Sequence, residues 1–183
     1  MYQRILVPTD GSDITAKAVS AAIDLAKLCG AQLRTISVKE PFPYSAISEM
    51  QPVPPQEFYD AQERIAASRV KSVQDAASAA GLTCQGHTVE ALHAWEAILD
   101  HAKDQQCDLI VMASHGRRGV SALLLGSETS RVLTHSPLPV LVVKRHRGAC
   151  AARTSALGLR ADHQHQQQAG PQPRQLRERL AQP

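Results

Sequence analysis

Short runs of branched apolar residues alternate along this 183-residue chain with longer segments of helical periodicity, and no other property constrains its fold so tightly. Ile5-Leu6-Val7-Pro8 reads as a first strand, ended by the proline and by the turn-forming Asp10-Gly11-Ser12. Ser12 or Asp13 can cap the helix that follows. In that helix Ala18, Ala22, Ile23, Leu25 and Ala26 recur at helical spacing up to Cys29, and Gly30 is the stop. Gln32 to Val38 reads as strand two and Gln56 to Ala80 as a helix closed by Gly81. Leu82 to Val89 reads as strand three, with Gly86 and His87 as its weak points. Ala91 to Lys103 is an amphipathic helix with Ala94, Ile98, Leu99 and Ala102 on its apolar face. Leu109 to Met112 is strand four, Ser127 to His135 a helix stopped by Ser136-Pro137, and Pro139 to Val143 strand five. Right-handed crossovers turn such alternation into an α/β fold: a doubly wound, Rossmann-like, five-stranded parallel sheet with helices on both faces.

Composition agrees with that layout. Aromatic residues make up only 3 % of the chain, so the core must come from Ala, Val, Ile and Leu, as in helices packed on a parallel sheet. The formal charge is −2 over residues 1–144 and +5 over residues 145–183, so the basic balance belongs to the tail. Residues 1–144 are expected to form one domain. Residues 145–183, rich in Gln, Arg and His and poor in apolar residues, are expected to be a disordered basic tail, with at most a turn or two of helix at Leu176 to Leu180. Glu40 to Pro55, with five prolines, reads as a long loop. Cys29, Cys84, Cys107 and Cys150 match no metal or redox spacing and read as separate thiols, Cys107 as a small buried residue. The start of the chain shows no leader pattern, and no apolar run approaches the ~18–20 residues that span a bilayer. A soluble cytoplasmic protein is expected, with no membrane and no specific nucleic-acid partner.

The functional signal lies beyond strand four. Met112-Ala113-Ser114-His115-Gly116-Arg117-Arg118-Gly119 leaves the buried strand, and Leu125-Gly126-Ser127 opens the next helix. Glycines at a strand exit let the backbone approach a ligand, and a helix start offers unpaired amide hydrogens, a combination suited to phosphate. If strands one and four are neighbours, Thr9-Asp10-Gly11 and Ala113-Ser114-His115-Gly116 face each other across one crevice.

These residues resemble the universal stress protein family, one subgroup of which binds ATP. The family's signature of Gly, two residues, Gly, nine residues, Gly, then Ser or Thr falls on Ala113, Gly116, Gly126 and Ser127, with spacing kept and the first glycine replaced by alanine. The start Ile5-Leu6-Val7-Pro8-Thr9-Asp10-Gly11-Ser12 and the end Ser136-Pro137-Leu138-Pro139-Val140-Leu141-Val142-Val143 are also similar to the family, over roughly residues 1–144. The resemblance implies ATP or a related adenine nucleotide as ligand, with Mg²⁺ as a companion ion. It implies that Asp10 lies near the ribose and adenine and that the backbone of Val38 meets the adenine. Ala113 and Gly116 would line the ribose and phosphate path, and Gly126, Ser127 and the amide of Glu128 would hold the outer phosphates. Pro8, Thr9, Met112, His115, Arg117 and Thr129, which flank these positions, complete the implied nucleotide set. It further implies a homodimer through strand five, Val140-Leu141-Val142-Val143, and a regulatory protein partner of unknown identity.

Several residues read two ways. Asp10 is either a nucleotide contact or a turn residue ordering the next helix. His115 either touches phosphate or Mg²⁺, or makes a loop hydrogen bond. Arg117 and Arg118 either steer a polyphosphate or are solvated. Ser127 is expected to cap its helix and offer a hydroxyl to phosphate. His93 and His101 read as surface positions. At Ala113, alanine would cost about 1 kcal/mol if the backbone needs a positive φ, and one methyl is tolerated if the need is room. No P-loop lysine, nucleophile elbow or metalloprotease pattern occurs, so the chain reads as a binding switch with at most slow ATP hydrolysis or autophosphorylation. The alternative is a dimeric scaffold of the same family that binds no nucleotide and acts through protein contacts.

Overall fold

Strands buried on both faces cannot alternate apolar with polar, and the two central strands here do not. β1 (Arg4–Pro8) buries Ile5, Leu6 and Val7, and β4 (Leu109–Ala113) is buried along its whole length. The computed structural model describes residues 1–42, 56–116 and 125–144. The other elements are α1 (Asp13–Cys29), β2 (Gln32–Lys39), α2 (Gln56–Ala79), β3 (Cys84–Glu90), α3 (Ala94–Asp104), α4 (Ser127–His135) and β5 (Val140–Val143). The five strands form one parallel sheet in the order β3-β2-β1-β4-β5.

Each face has its own core. Ile5, Val7, Leu33, Leu109 and Val111 pack against Val19, Ala22, Ile23 and Ala26 of α1 and Val73 and Ala77 of α2. On the opposite face Leu6, Ile36, Ile110 and Met112 meet Ile98 and Ala102 of α3 and Val132 of α4. Helices on both faces are therefore as expected, and branched aliphatic side chains fill both layers. Among the described residues no helix is long and apolar enough to cross a membrane. The expected loop over 43–55 and the expected tail over 145–183 lie outside the described residues.

Local signals set the element ends. Ser12 caps α1, its side chain accepting from the Thr15 amide, and Gly30 closes the helix at φ 66°, its N–H donating to the Ala26 carbonyl. Gly86, a weak point in the reading of β3, is a packing requirement: a Cβ there would stand 2.2 Å from Val70 Cγ1 of α2. Cys107 is buried as expected, and Cys29 and Cys84 are half-buried free thiols. Burial pushes the Cys84 and Cys107 thiols up to about 11, which keeps both protonated and unreactive at neutral pH.

Two expectations about α3 are corrected. The helix starts at Ala94 rather than Ala91, leaving Leu92 exposed and His93 at the cap position without a side-chain bond. Glu128 of α4 supplies the missing acceptor, its Oε2 taking the Trp95 amide hydrogen at 2.8 Å. His101 is not on the surface but 8 % exposed, because the inward face is centred on Ala97, Ile98, His101 and Ala102. Among the described residues its Nε2 has no hydrogen-bond partner.

Burial, then the neighbouring His87, lower the His101 pKa, Asp104 raises it, and Arg34 lowers it, for a net downward shift. Between the depressed folded value and the ordinary 6.5 the unfolded chain binds more protons. The stability held by neutral His101 is thus complete above about pH 6.5 and is lost as pH falls below it. Urea unfolding between pH 5 and pH 8 should show the midpoint declining below 6.5, with a shallower decline in His101→Leu. Equal slopes in both proteins would refute the assignment.

Candidate functional site

The strand order reverses at β1, which pairs with β2 on one side and β4 on the other. Connections leaving two adjacent strands in opposite directions open a crevice beyond their carboxyl ends. Both exit loops anticipated in the sequence lie there. A Cβ on Gly116 would stand 2.7 Å from Asp10 Oδ2, so the β1 and β4 exits meet at these two residues. The need at Gly116 is room, since its φ is not in the left-handed region.

On the β1 side, Thr9 is buried, and its amide donates to the Ile36 carbonyl at 2.9 Å directly after Pro8. Asp10 Oδ1 accepts from the Ser12 amide at 3.0 Å, the Ser12 hydroxyl at 2.7 Å and the Thr15 hydroxyl at 2.6 Å. Asp10 thus organises the turn into α1, while its other oxygen faces Gly116. The turn-forming reading of this residue is therefore the one these bonds display.

Val38 reaches the same crevice through its backbone. In a parallel ladder the N–H and C=O of one residue point to the same neighbour, and successive residues alternate. The Ile36 carbonyl points to β1 and the Lys39 carbonyl to β3, where it accepts from the Ala91 amide. Val38 therefore points to the β1 side, two residues beyond the last β1 pair, Pro8 with Ile36.

On the β4 side Ala113 lies in regular strand, paired with Val143, and its φ is not positive. Its methyl packs with Ile14 and Ala18 of α1, so alanine here is a core residue and carries no backbone strain. Met112 is also buried, its side chain in the layer under α3 and α4 and away from the exit loops. Beyond the strand the Ser114 amide donates to the Val143 carbonyl, and the Ser114 hydroxyl pairs with His115 Nδ1 at 3.0 Å. That is the loop hydrogen bond expected as one reading of His115.

The loop then meets the start of α4. The Gly126 amide donates to the Ser114 carbonyl at 2.8 Å, and a Cβ on Gly126 would stand 3.1 Å from His115 Cα. The Thr129 hydroxyl, buried, donates to the Ala113 carbonyl at 3.0 Å. One expectation is corrected: the cap of α4 is Gly126, not Ser127, which is the exposed first helical residue. A glycine cap brings no side-chain acceptor, so the first-turn amides remain directed outward for another one. Arg117, with Arg118, lies outside the described residues.

Sequence reasoning missed Arg69 of α2. Gly11, at φ 75°, lies under it, and a Cβ there would be 3.1 Å from Arg69 Cγ. Arg69 also lines a cavity of about 280 Å³ between α1 and α2, with Thr9, Gly11 and Ser12 at its upper end. No periodicity or motif marks a single helix arginine as a neighbour of a distant loop.

Comparison with known families matches residues 1–144 to the universal stress protein family. A universal stress protein of Methanocaldococcus jannaschii is 32 % identical over 154 residues, covering 79 % of this chain and 84 % of the relative. UspA from Lactobacillus plantarum has a similar structure, with TM-score 0.67 and 25 % identity, over 78 % of this chain and 98 % of that one. A universal stress protein crystallised in complex with cAMP superposes with TM-score 0.58 and 27 % identity, over 78 % and 97 % of the two chains.

Because Ala113 is unstrained and packed, Ala113→Gly should lower stability by about 1–2 kcal/mol through lost methyl burial and added chain entropy. Urea unfolding measures this, and a gain in stability would mean that the alanine backbone is strained after all.

Proposed function

The chain belongs to the universal stress protein family, and from that premise we propose that it binds ATP or a related adenine nucleotide between β1 and β4 as a stress-response switch. The observation that carries this reading is the start of α4: Gly126 caps the helix without a side chain and is bonded to Ser114 at the exit of β4, the other end of the same connection. A helix beginning of that kind, aimed across a switch-point crevice, suits a phosphate chain. The relative solved with cAMP supports an adenine nucleotide as the ligand class.

In this reading the Val38 backbone meets the adenine, Asp10 the ribose, and Gly116 leaves space for the sugar and phosphates. Pro8 and Thr9 form the floor beneath them, and the Ala113 and Met112 backbones one wall. The Ser127 hydroxyl and the amides of Ser127, Glu128 and Thr129 hold the outer phosphates. The Glu128 side chain is turned away, toward the Trp95 amide, which lessens its repulsion of an anion at its own amide. Mg²⁺ would arrive with the polyphosphate, near Asp10. Occupancy would tie the β1 exit, the β4 exit and α4 together through one ligand, and that change in loop order is the signal a regulatory partner would read.

Replacing Gly126 by Asp or Asn would supply the missing cap, occupying the amides that the phosphates need. Calorimetry with ATP should show at least about tenfold weaker binding in both variants, or ~1.4 kcal/mol, measured where urea unfolding shows that each variant is still folded despite the close approach to His115. Equal binding by wild type and variants, or no binding by wild type at millimolar ATP, would refute the nucleotide reading.

We also propose that the protein is a homodimer paired through β5, a property that the scaffold reading shares. Val140–Val143 is an edge strand of the sheet, and Leu141 is 42 % exposed on it. Antiparallel pairing with its own copy would satisfy the edge and cover Leu141. Val142 packs against the layer under α3 and α4, so Leu141→Lys is the cleaner probe. Sedimentation should find a dimer in wild type and a monomer in the variant, where like charges meet across the axis. A monomeric wild type at micromolar concentration removes the proposal.

A further inference from the structure

A buried guanidinium normally has a carboxylate beside it, because an uncompensated charge in the interior is costly. Arg34 of β2 is 9 % exposed, and among the described residues it forms no ion pair. Its terminal nitrogens donate to neutral groups of its own strand, the Leu33 carbonyl at 3.1 Å and Gln32 Oε1 at 3.0 Å, and its Nε has no partner. On the same face of the sheet lies His101 of α3, 8 % exposed, with Nε2 also unpartnered. The ring of His87 on β3 stands 4.9 Å from the His101 ring, centroid to centroid. His87 is the neighbour of Ile36 in the ladder, and Gln85 the neighbour of Arg34, so these side chains share one side of the β2–β3 pair.

We propose that Arg34, His101 and His87 form a second anion site, for a doubly charged tetrahedral oxyanion such as phosphate or sulfate. The Arg34 Nε–H and the His101 Nε2–H are the two buried donors, and His87, exposed on the edge strand, is the side chain that swings to admit the ion. The site lies near the start of β2 and in the last turn of α3, toward the opposite end of the strands from the β1–β4 crevice. It does not depend on nucleotide binding there. The charged and titratable groups acting on His101 are His87 from β3, Arg34 from β2 and Asp104 from α3 itself. Leu6, Ile110 and Cys107 belong to the apolar cluster on this face of the sheet, and the Cys107 thiol is protonated. Arg34 disfavours a metal cation at the two imidazoles. An anion satisfies both unpartnered nitrogens and offsets the guanidinium charge, and it favours protonated His101. Binding therefore takes up a proton and tightens as pH falls.

Sulfate is the probe, because its charge does not change between pH 6 and pH 8. The full chain, ¹⁵N-labelled at histidine, is titrated with sulfate at constant ionic strength while the imidazole resonances are followed. The His101 and His87 resonances should move saturably, with affinity about fivefold tighter at pH 6.0 than at pH 7.5, since uptake of one proton gives up to tenfold per pH unit. The shifts should persist in Gly126→Asp, which separates this site from the crevice, and vanish in Arg34→Met. His87→Gln, at an exposed position, should retain the fold and weaken sulfate at least threefold, which keeps the test decisive if Arg34→Met fails to fold. Competition by glycerol phosphate would identify the terminal group of a phosphorylated metabolite as ligand, and its absence the free ion. Shifts matched by chloride, or moved by Zn²⁺ and not by sulfate, or unchanged in both variants, would overturn the site.

Discussion

β1 is hydrogen-bonded to β2 on one side and to β4 on the other, and the rest of the molecule follows from that double pairing. It places the first strand at the centre of the sheet, where both faces must be covered, and so fixes α1 and α2 on one face and α3 and α4 on the other. It also makes β1 and β4 the pair whose connections diverge. The gap above them is a consequence of topology, present before any side chain is chosen. What the sequence adds is the lining: a carboxylate on one exit, a glycine opposite it, and a helix whose cap has no side chain.

At these positions a structural role and the proposed ligand-facing role fall on the same residues. Asp10 holds the turn into α1 through one oxygen, which gives it a purpose without any ligand. Gly116 must be small because Asp10 stands opposite, and Gly126 because His115 does. These small residues close two loops against each other with little side chain between them. A surface built from backbone in this way can approach a phosphate chain closely.

Much of this was legible in the sequence because the signals were local. Proline and glycine punctuation marked β1, α1 and α4 closely, and the spacing from Gly116 to Gly126 and Ser127 pointed to the crevice. The failures came where tertiary contact decides. Gly86 looked like a defect in β3 until Val70 was seen to occupy the space of its missing side chain. The start of α3 is not marked locally, because the first-turn amide of Trp95 is satisfied by Glu128, thirty-three residues away. His101 reads as a surface residue from periodicity alone, because a polar side chain at the margin of an apolar stripe can fall on either side of it. Arg34 drew no notice for a related reason: a single cation in a strand of otherwise ordinary pattern is indistinguishable, by periodicity, from an edge residue. Ser127 reads as the cap because serine is the better capping side chain, yet Gly126 holds that position and is bonded to Ser114.

α3 connects the two ends of the molecule. Its first turn is held by Glu128 at the start of α4, and Trp95 stacks at 4.7 Å on His135 near the end of α4. Its last turn carries His101. Eleven residues of helix span roughly 16 Å, so a single rigid element runs from the proposed phosphate-binding turn to the Arg34 cluster. A charge placed on His101 would act on the lower end of α3, and Glu128 is bonded to the upper end of the same helix. Coupling of this kind must act equally in both directions, because it is a difference in free energy between shared states. Proton uptake at the lower cluster and anion binding at the upper turn would then bias one another through the position of one helix.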